Sequence, residues 1–153
     1  MKKKRPAARR RTARRGGPTR SMLAAMTALA REARERAHAP YSRFKVGAAL
    51  KTRTGEIVTG CNIENASYGL SMCAERVAVF KAVSEGLDDF DVIAVVADSK
   101  KMTPPCGPCR QILWEYCGDV LVHMTDLKGR SRTMRLRELL PMPFDSGSLG
   151  TSR

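Results

Sequence analysis

The sequence predicts a three-layer α/β/α fold, in which a mixed sheet of about five strands carries helices on both faces. The first observation behind this prediction is the order of helical and extended patterns, α-β-β-α-β-α-β-(β)-α, which is typical of a sheet covered by helices. The second is residues 91–97 (DVIAVVA), a β-branched and continuously apolar run expected of a strand buried on both faces. The third is the position of Gly86 and Gly118, which each follow a helical pattern and can end it.

The individual elements follow from apolar spacing and from residues that begin or end them. Ser21 can cap a first helix in which Leu23, Met26 and Ala30 recur at helical spacing, until Pro40 stops it near residue 39. Residues 62–72 are rich in Asn, Ser and Gly and are predicted to form a loop. Strands are predicted at 45–51, 56–61, 91–97, 120–124 and 132–136, and further helices at 73–85, 107–116 and 137–140.

The net charge of +13 is concentrated before the first predicted helix. Residues 2–20 contain ten of the 28 Lys and Arg residues and no acid, so the rest of the chain has 18 basic and 15 acidic residues, a net charge of +3. We therefore expect a disordered basic tail at 1–20, a folded domain at 21–144 and a C-terminal tail at 145–153. The basic tail would attract nucleic acid nonspecifically. Its composition resembles that of an organelle transit peptide, and an extended gene start is the equal alternative.

Composition also bears on location and on the use of the cysteines. No apolar run approaches the roughly 20 residues of a membrane span, and no apolar segment follows the basic residues as it would in a secretory signal. Five cysteines are an odd number, which argues against a disulfide framework. We expect a cytoplasmic protein that uses thiols for metal binding or for nucleophilic chemistry.

Two cysteine motifs are each predicted at the beginning of a helix. The CxxC motif of Cys106 and Cys109 is compatible with metal binding, with a redox pair or with coincidence. Cys73 supplies a third thiol, and Glu75 supplies a carboxylate two residues later. Three protein ligands are the catalytic arrangement of zinc, because they leave a tetrahedral position for water. We predict Zn²⁺ bound by Cys73, Cys106 and Cys109, with Glu75 transferring protons without binding the metal.

The residue that follows Glu75 is an arginine. Zinc with three thiolates has one surplus negative charge, whereas zinc with one His and two Cys is neutral. Arg76 is predicted to donate to a thiolate sulfur and to offset that charge. The alternative is an ordinary arginine on the surface of the helix.

A structural zinc site is the rival interpretation of these cysteines. It would need a fourth ligand, for which His38, His123, Cys61 and Cys117 are the candidates. Structural sites are usually built from two closely spaced ligand pairs, and the second pair is missing here. The two histidines are more simply ordinary residues, and the two cysteines small buried apolar ones.

Five stretches of the chain resemble the cytidine deaminase family, in particular its small homotetrameric zinc-dependent branch. They are APYSRF and VGAA at 39–49, GCNIENASYG at 60–69, CAERVAVFKAVSEG at 73–86, PCGPCRQ at 105–111 and ELLPMPF at 138–144. The resemblance covers about residues 22–144, which is nearly the whole globular part of the chain. C-A-E followed by P-C-x-x-C is also the three-cysteine form of the zinc deaminase signature. The resemblance implies the cytidine deaminase-like α/β/α fold, one Zn²⁺ per subunit, and a homotetramer with composite active sites.

The resemblance also implies which residues hold the substrate. Asn62 and Glu64 match the pair that binds the ribose, and an amide and a carboxylate two residues apart on an extended segment can reach one sugar hydroxyl. Phe44 matches the aromatic residue that packs on the pyrimidine ring, and Val46 matches a neighbouring apolar wall. The backbone of Ala74 matches a contact to the exocyclic amine of the base.

Three further residues match positions that reach the site of a neighbouring subunit. They are Ala66, Tyr68 and Phe144. If they act in this way, the active site is composite and a monomer would be poorly active. The basic tail and the 145–153 segment lie outside the family pattern, which leaves partners and location open but not the chemistry.

The expected function is hydrolytic deamination of cytidine and 2′-deoxycytidine, with water, to uridine and 2′-deoxyuridine with release of ammonia, as in pyrimidine salvage. A deaminase of another cytosine nucleoside such as blasticidin S is the close alternative, because those enzymes share C-A-E and P-C-G-x-C. A nucleic-acid-associated deaminase that uses the basic tail is a second alternative. A deaminase that acts on a nucleic-acid strand needs an open groove to admit that strand. The sugar-binding pair Asn62 and Glu64 and the expected closure of the site by another subunit therefore favour a free nucleoside. A noncatalytic zinc scaffold would bind metal but release no ammonia.

Overall fold

The computed structural model describes residues 17–150, in which helices alternate with the strands of one sheet. Two short 3-10 helices occur at Tyr68–Leu70 and Ser146–Leu149. The other elements are α1 (Arg20–Glu35), β1 (Val46–Thr52), β2 (Ile57–Cys61), α2 (Ala74–Ser84), β3 (Phe90–Ala97), α3 (Gly107–Cys117), β4 (Leu121–Thr125), β5 (Ser131–Arg135) and α4 (Leu136–Leu139).

The five strands form one mixed sheet in the order β2-β1-β3-β4-β5. β1 is antiparallel to both β2 and β3, β3 and β4 are parallel, and β5 is antiparallel to β4. The parallel pair is connected through α3, since parallel neighbours need a crossover. The predicted mixed sheet with helices on both faces is therefore confirmed.

Strand β3 is buried on both faces because successive side chains point to opposite helical layers. Val92, Ala94 and Val96 pack with Met26 and Ala30 of α1. Residues 93 and 95 join the larger core cluster on the other face, which includes apolar side chains of α2 and α3. The continuous apolar run in the sequence thus reflects two separate cores.

The carboxyl ends of two parallel strands position the beginnings of α2 and α3. β2 and β3 run in the same direction because each is antiparallel to β1. Chain leaving β2 enters α2 after Cys73, and chain leaving β3 enters α3 after Cys106. In sheets with parallel strands, this is the edge at which ligands usually bind.

Helix α1 differs from its predicted bounds at both ends. Its cap is Thr19 rather than Ser21, because the Thr19 side chain accepts from the Met22 amide at 3.2 Å. It ends at Glu35 rather than near residue 39, because the His38 amide donates to Asn62 and the His38 carbonyl accepts from Glu64. These bonds to a distant segment draw the chain out of the helix.

The predicted tails are described only in part. The predicted disorder of the basic tail concerns residues 1–20, of which 1–16 lie outside the described residues. In the predicted C-terminal tail, Ser146–Leu149 forms a 3-10 helix capped by Asp145. Among residues 17–150, no helix combines the length and the apolar character needed to cross a membrane.

Candidate active site

Two helix N-termini meet at the sulfur atoms of three cysteines. Cys73 is the N-cap of α2, Cys106 is the N-cap of α3, and Cys109 lies in the first turn of α3. The positive end of each helix dipole favours the thiolate form of a cysteine placed there. Cys109 is fully buried and Cys106 is exposed, so the cluster lies between the core and the surface.

The spacing of the three sulfur atoms fits a tetrahedral metal ion. All three lie within 4.8 Å of one another, and Cys73 Sγ is 3.8 Å from Cys106 Sγ. Zinc–sulfur bonds of about 2.3 Å at tetrahedral angles place sulfur atoms about 3.8 Å apart. The donor set also fits, because thiolate is a preferred ligand of zinc.

Arg76 points its guanidinium toward this cluster. Nη2 donates to Cys73 Sγ at 3.7 Å and to the Ser71 carbonyl at 3.0 Å. Although burial by itself would lower the pKa of Arg76, the bond to Cys73 and the nearby thiolate charges raise it. Arg76 therefore stays cationic beside the sulfur atoms, as the surplus charge of a three-thiolate site would require.

The pKa values of Cys73 and Cys109 are shifted in opposite directions. Hydrogen bonding from Cys109, supported by Arg76 and Cys106, lowers the pKa of Cys73 to about 5. The same bond to Cys73, together with burial, raises the pKa of Cys109. Cys73 is therefore converted to the thiolate more easily than Cys109.

Glu75 is the buried acid of the site. It lies in the first turn of α2 and is 5% exposed. Burial raises the pKa of Glu75 to about 7, and the negative charge of Cys73 adds to this effect. A carboxyl group that titrates near neutral pH can both take up and release a proton.

A cavity of about 370 Å³ opens in front of Glu75 and Arg76. This volume is within the range of small-molecule sites in proteins. The five predicted substrate residues all line it: Phe44, Val46, Asn62, Glu64 and Ala74. Cys73 and Cys106 are also in its wall, so the structure brings the predicted metal and substrate residues together in one place.

The side chains of Asn62 and Glu64 contact the backbone around Phe44. Asn62 accepts from the Val46 amide at 2.8 Å and donates to the Phe44 carbonyl at 2.9 Å. Glu64 accepts from the Tyr41 amide at 2.9 Å and from the Ser42 amide at 3.2 Å. These bonds attach the loop before β1 to the segment after β2.

The three residues expected to reach another subunit lie at the surface. Tyr68 is 74% exposed and lines the cavity of its own chain. Phe144 is 61% exposed, and its carbonyl accepts from the Gln111 side chain at 2.6 Å. Ala66 is exposed in the loop before Tyr68–Leu70.

The structure adds cavity residues that were not singled out in the sequence. They are Ser71, Met72, Val95, Thr103 and Pro104. The first two directly precede Cys73, and the last two closely precede Cys106, so proximity to the ligands was the available signal. Val95 had no such signal, because its side chain reaches the cavity from the middle of β3.

No candidate fourth ligand joins the three sulfur atoms within the described part of the chain. His38 is exposed, and its backbone pairs with residues 62–64. His123 is buried in β4, where Nδ1 lies 2.8 Å from the Thr133 hydroxyl, and burial lowers its pKa. Burial raises the pKa of Cys117 to about 12, in keeping with an unreactive thiol. The geometry therefore does not favour a closed structural zinc site.

Three clustered thiols beside a buried proton acceptor indicate a zinc-dependent hydrolytic enzyme. Residues 20–124 match the family model described as the cytidine and deoxycytidylate deaminase zinc-binding region. The chain belongs to this family, the zinc-dependent cytidine deaminases.

Individual relatives agree with this assignment. A cytidine deaminase of Halalkalibacterium halodurans is 54% identical over 114 residues, which cover 74% of this chain and 86% of the relative. The crystal structure of a cytidine deaminase from Burkholderia pseudomallei superposes with a TM-score of 0.77 at 46% identity, covering 79% of this chain and 98% of that one. A blasticidin-S deaminase of Bacillus cereus is 33% identical over 111 residues, which cover 67% of this chain and 79% of the relative.

Proposed function

We propose that this chain converts cytidine and 2′-deoxycytidine to uridine and 2′-deoxyuridine, with water as co-substrate and ammonia as the second product. Family membership makes it a zinc-dependent enzyme that deaminates cytidine hydrolytically. The position of Glu75 carries the proposed mechanism, because this buried carboxyl adjoins the three-cysteine cluster at the wall of the cavity.

Cys73, Cys106 and Cys109 are the proposed zinc ligands. When bound there, zinc supplies a Lewis acid that makes water nucleophilic near neutral pH. Glu75 accepts a proton from that water and delivers it to N3 of the cytosine ring. The remaining oxygen of the water bonds to C4, and Glu75 then takes the second proton from this new hydroxyl and passes it to the amino group. The C4–N bond breaks to release ammonia, and the oxygen stays on C4 as the carbonyl. The pKa of Glu75, raised by burial to about 7, allows both directions of transfer.

The surrounding residues have supporting roles in this proposal. Arg76 offsets the negative charge of the thiolates through its contact with Cys73. The aromatic ring of Phe44 and the side chain of Val46 hold the base, and the backbone of Ala74 contacts its amino group. A polar pair, Asn62 and Glu64, binds the sugar at the other end of the cavity.

We also propose that the active enzyme is a cytoplasmic homotetramer that serves pyrimidine salvage. Tyr68 and Phe144 are large apolar side chains exposed near the cavity and at the C-terminal segment. We infer that both side chains belong to surfaces that contact other subunits, together with the exposed Ala66 two residues before Tyr68. All five cysteines are free, which suits a reducing compartment.

A direct test follows the loss of cytidine absorbance in purified protein. Cytidine and 2′-deoxycytidine should be consumed with stoichiometric ammonia release, and blasticidin S should be a poor substrate. Removal of zinc with a chelator should abolish turnover, and added Zn²⁺ should restore it. Bound zinc without ammonia from either nucleoside would contradict the proposal, as would faster turnover of blasticidin S.

A further inference from the structure

The segment before β1 is held by the same side chains that are proposed to bind the sugar. We call residues 39–44 the Phe44 turn, which is closed by a bond from the Arg43 amide to the Ala39 carbonyl at 3.0 Å. Asn62 binds the Phe44 carbonyl, and Glu64 binds two amides of the turn. The sugar end of the cavity and the Phe44 turn are therefore parts of one hydrogen-bonded unit.

These bonds use most, but not all, of the capacity of the two side chains. A carboxylate offers about four lone-pair positions, of which Glu64 uses three, one of them for the Ser42 hydroxyl. A side-chain amide offers two donors and two acceptors, of which Asn62 uses one each. One acceptor on Glu64, and one N–H and one acceptor on Asn62, thus remain for a group that donates and accepts at once, as a sugar hydroxyl does.

Ser42 determines how the carboxylate of Glu64, and with it the free acceptor, is oriented. Its hydroxyl donates to Oε1 of Glu64, while both backbone amides bind Oε2. The same hydroxyl accepts from the Phe44 amide at 3.0 Å. Arg43 between them has φ of 57°, a conformation that non-glycine residues adopt only when their surroundings impose it. Ser42 thus fixes the carboxylate and the turn together.

We propose that Ser42 is a positioning residue for sugar recognition, which holds the free acceptor of Glu64 toward the sugar. This inference rests on the proposed function of the cavity. The hydrogen bond from the Ser42 hydroxyl is also the main reason why the pKa of Glu64 is lowered, so the Glu64 carboxylate stays anionic. Ser42 itself contacts neither the cysteine cluster nor Glu75 in this arrangement, so it takes no part in the chemical step.

The test compares Ser42→Ala with Ser42→Thr, which retains the hydroxyl. Loss of one charge-assisted hydrogen bond should raise KM for cytidine about tenfold in S42A, with kcat within about twofold. S42T should restore KM. For 2′,3′-dideoxycytidine, which lacks the 2′- and 3′-hydroxyls, kcat/KM should be the same in wild type and S42A. Ser84→Ala, which removes a hydroxyl bonded to the Lys81 carbonyl at the far end of α2, is the matched control and should behave as wild type.

Uridine affinity measured by calorimetry separates this inference from the proposed function. S42A should bind the product uridine about tenfold more weakly than wild type, with zinc content unchanged. If wild type released no ammonia from cytidine, the proposed function would fail, while the uridine measurement would still decide the role of Ser42. An unchanged uridine Kd in S42A would overturn the inference, and so would equal losses for cytidine and the dideoxynucleoside.

Discussion

Gly60 of β2 lies directly against the first turn of α2, where a Cβ at position 60 would stand 2.5 Å from the Ala74 carbonyl oxygen. The same Cβ would be only 2.6 Å from the Ala78 amide nitrogen. Because both neighbours are backbone atoms of one helix, no side-chain rotation could relieve the contact. Gly60 therefore allows the helix that carries Cys73 and Glu75 to lie close to the sheet.

We predict that Gly60→Ala destabilises the protein and disturbs the zinc site. Overpacking of this kind should lower the free energy of unfolding by about 1 to 3 kcal/mol, measured by urea denaturation. Gly69→Ala is the matched control, since a Cβ there meets nothing within 4 Å, and its stability should equal that of wild type. Equal stability of G60A and G69A would show that α2 can move away without cost.

Glu75→Gln should separate zinc binding from catalysis. The amide is nearly the same size as the carboxylate but cannot accept and return a proton, so kcat for cytidine should fall at least about a hundredfold. Zinc content, measured by elemental analysis, should remain one ion per chain. Glu85→Gln, at the exposed end of the same helix, should leave kcat unchanged. Near-normal turnover in E75Q would rule out Glu75 as the proton carrier.

Replacement of Arg76 should weaken the hold on zinc. Arg76→Gln removes the cation beside Cys73, and changes of this kind around a metal site cost about 10- to 100-fold in affinity or activity. Competition with a chromogenic chelator should show the lower zinc affinity. Arg36→Gln removes an arginine paired with Glu32 on the surface of the protein and should have no such effect. Identical chelator curves for R76Q and R36Q would refute the proposed charge compensation.

Acid stability should depend on Asp126 in the turn between β4 and β5. Burial would raise the pKa of Asp126, but bonds from Arg130 at 2.5 and 2.8 Å and from the Lys128 amide at 2.9 Å lower it. In the unfolded protein the pKa of an aspartate is about 4, and above that pH the lowered pKa of Asp126 stabilises the folded state in full. This stabilisation is lost as the pH falls through the pKa of Asp126 in the folded protein. Asp126→Asn should therefore be less stable than wild type at pH 7.

The measurement is urea denaturation of wild type and D126N over a range of pH. The gap between their free energies of unfolding should be constant above about pH 5 and should narrow as the pH falls below about 4. Acid loss of zinc affects both proteins and cancels in this difference. Asp88→Asn, at an exposed position, is the control and should run parallel to wild type. A gap that did not change with pH would exclude titration of Asp126 as its cause.

Removal of the basic segment should leave catalysis intact. The cavity is formed by residues 44–106, so deletion of 2–16, which removes nine Lys and Arg residues, should not change kcat or KM for cytidine. A longer deletion of 2–20 also removes the Thr19 cap of α1 and should cost about 1 kcal/mol in stability. Loss of cytidine turnover in the shorter deletion would assign the segment a role in the reaction.

Much of the fold could be predicted because its signals are local. The apolar spacing of Met26 and Ala30, the run at 91–97 and the glycines after α2 and α3 each report on a few neighbouring residues. The ends of α1 were harder to predict. Its early end depends on bonds from His38 to Asn62 and Glu64, which lie more than 20 residues away and leave no pattern near the helix.

The sequence by itself determined the class of chemistry, because Cys73, Glu75 and the CxxC motif are the donor types that zinc hydrolysis requires and occur at two helix beginnings. The tertiary structure decided how the three sulfur atoms come within 4.8 Å of one another and how a cavity forms in front of them. It also decided that Asn62 holds the Phe44 turn through the Phe44 carbonyl and that Glu64 holds it through Ser42. Hydrogen bonds between distant segments depend on how helices and strands pack, and only the assembled sheet brings those segments together.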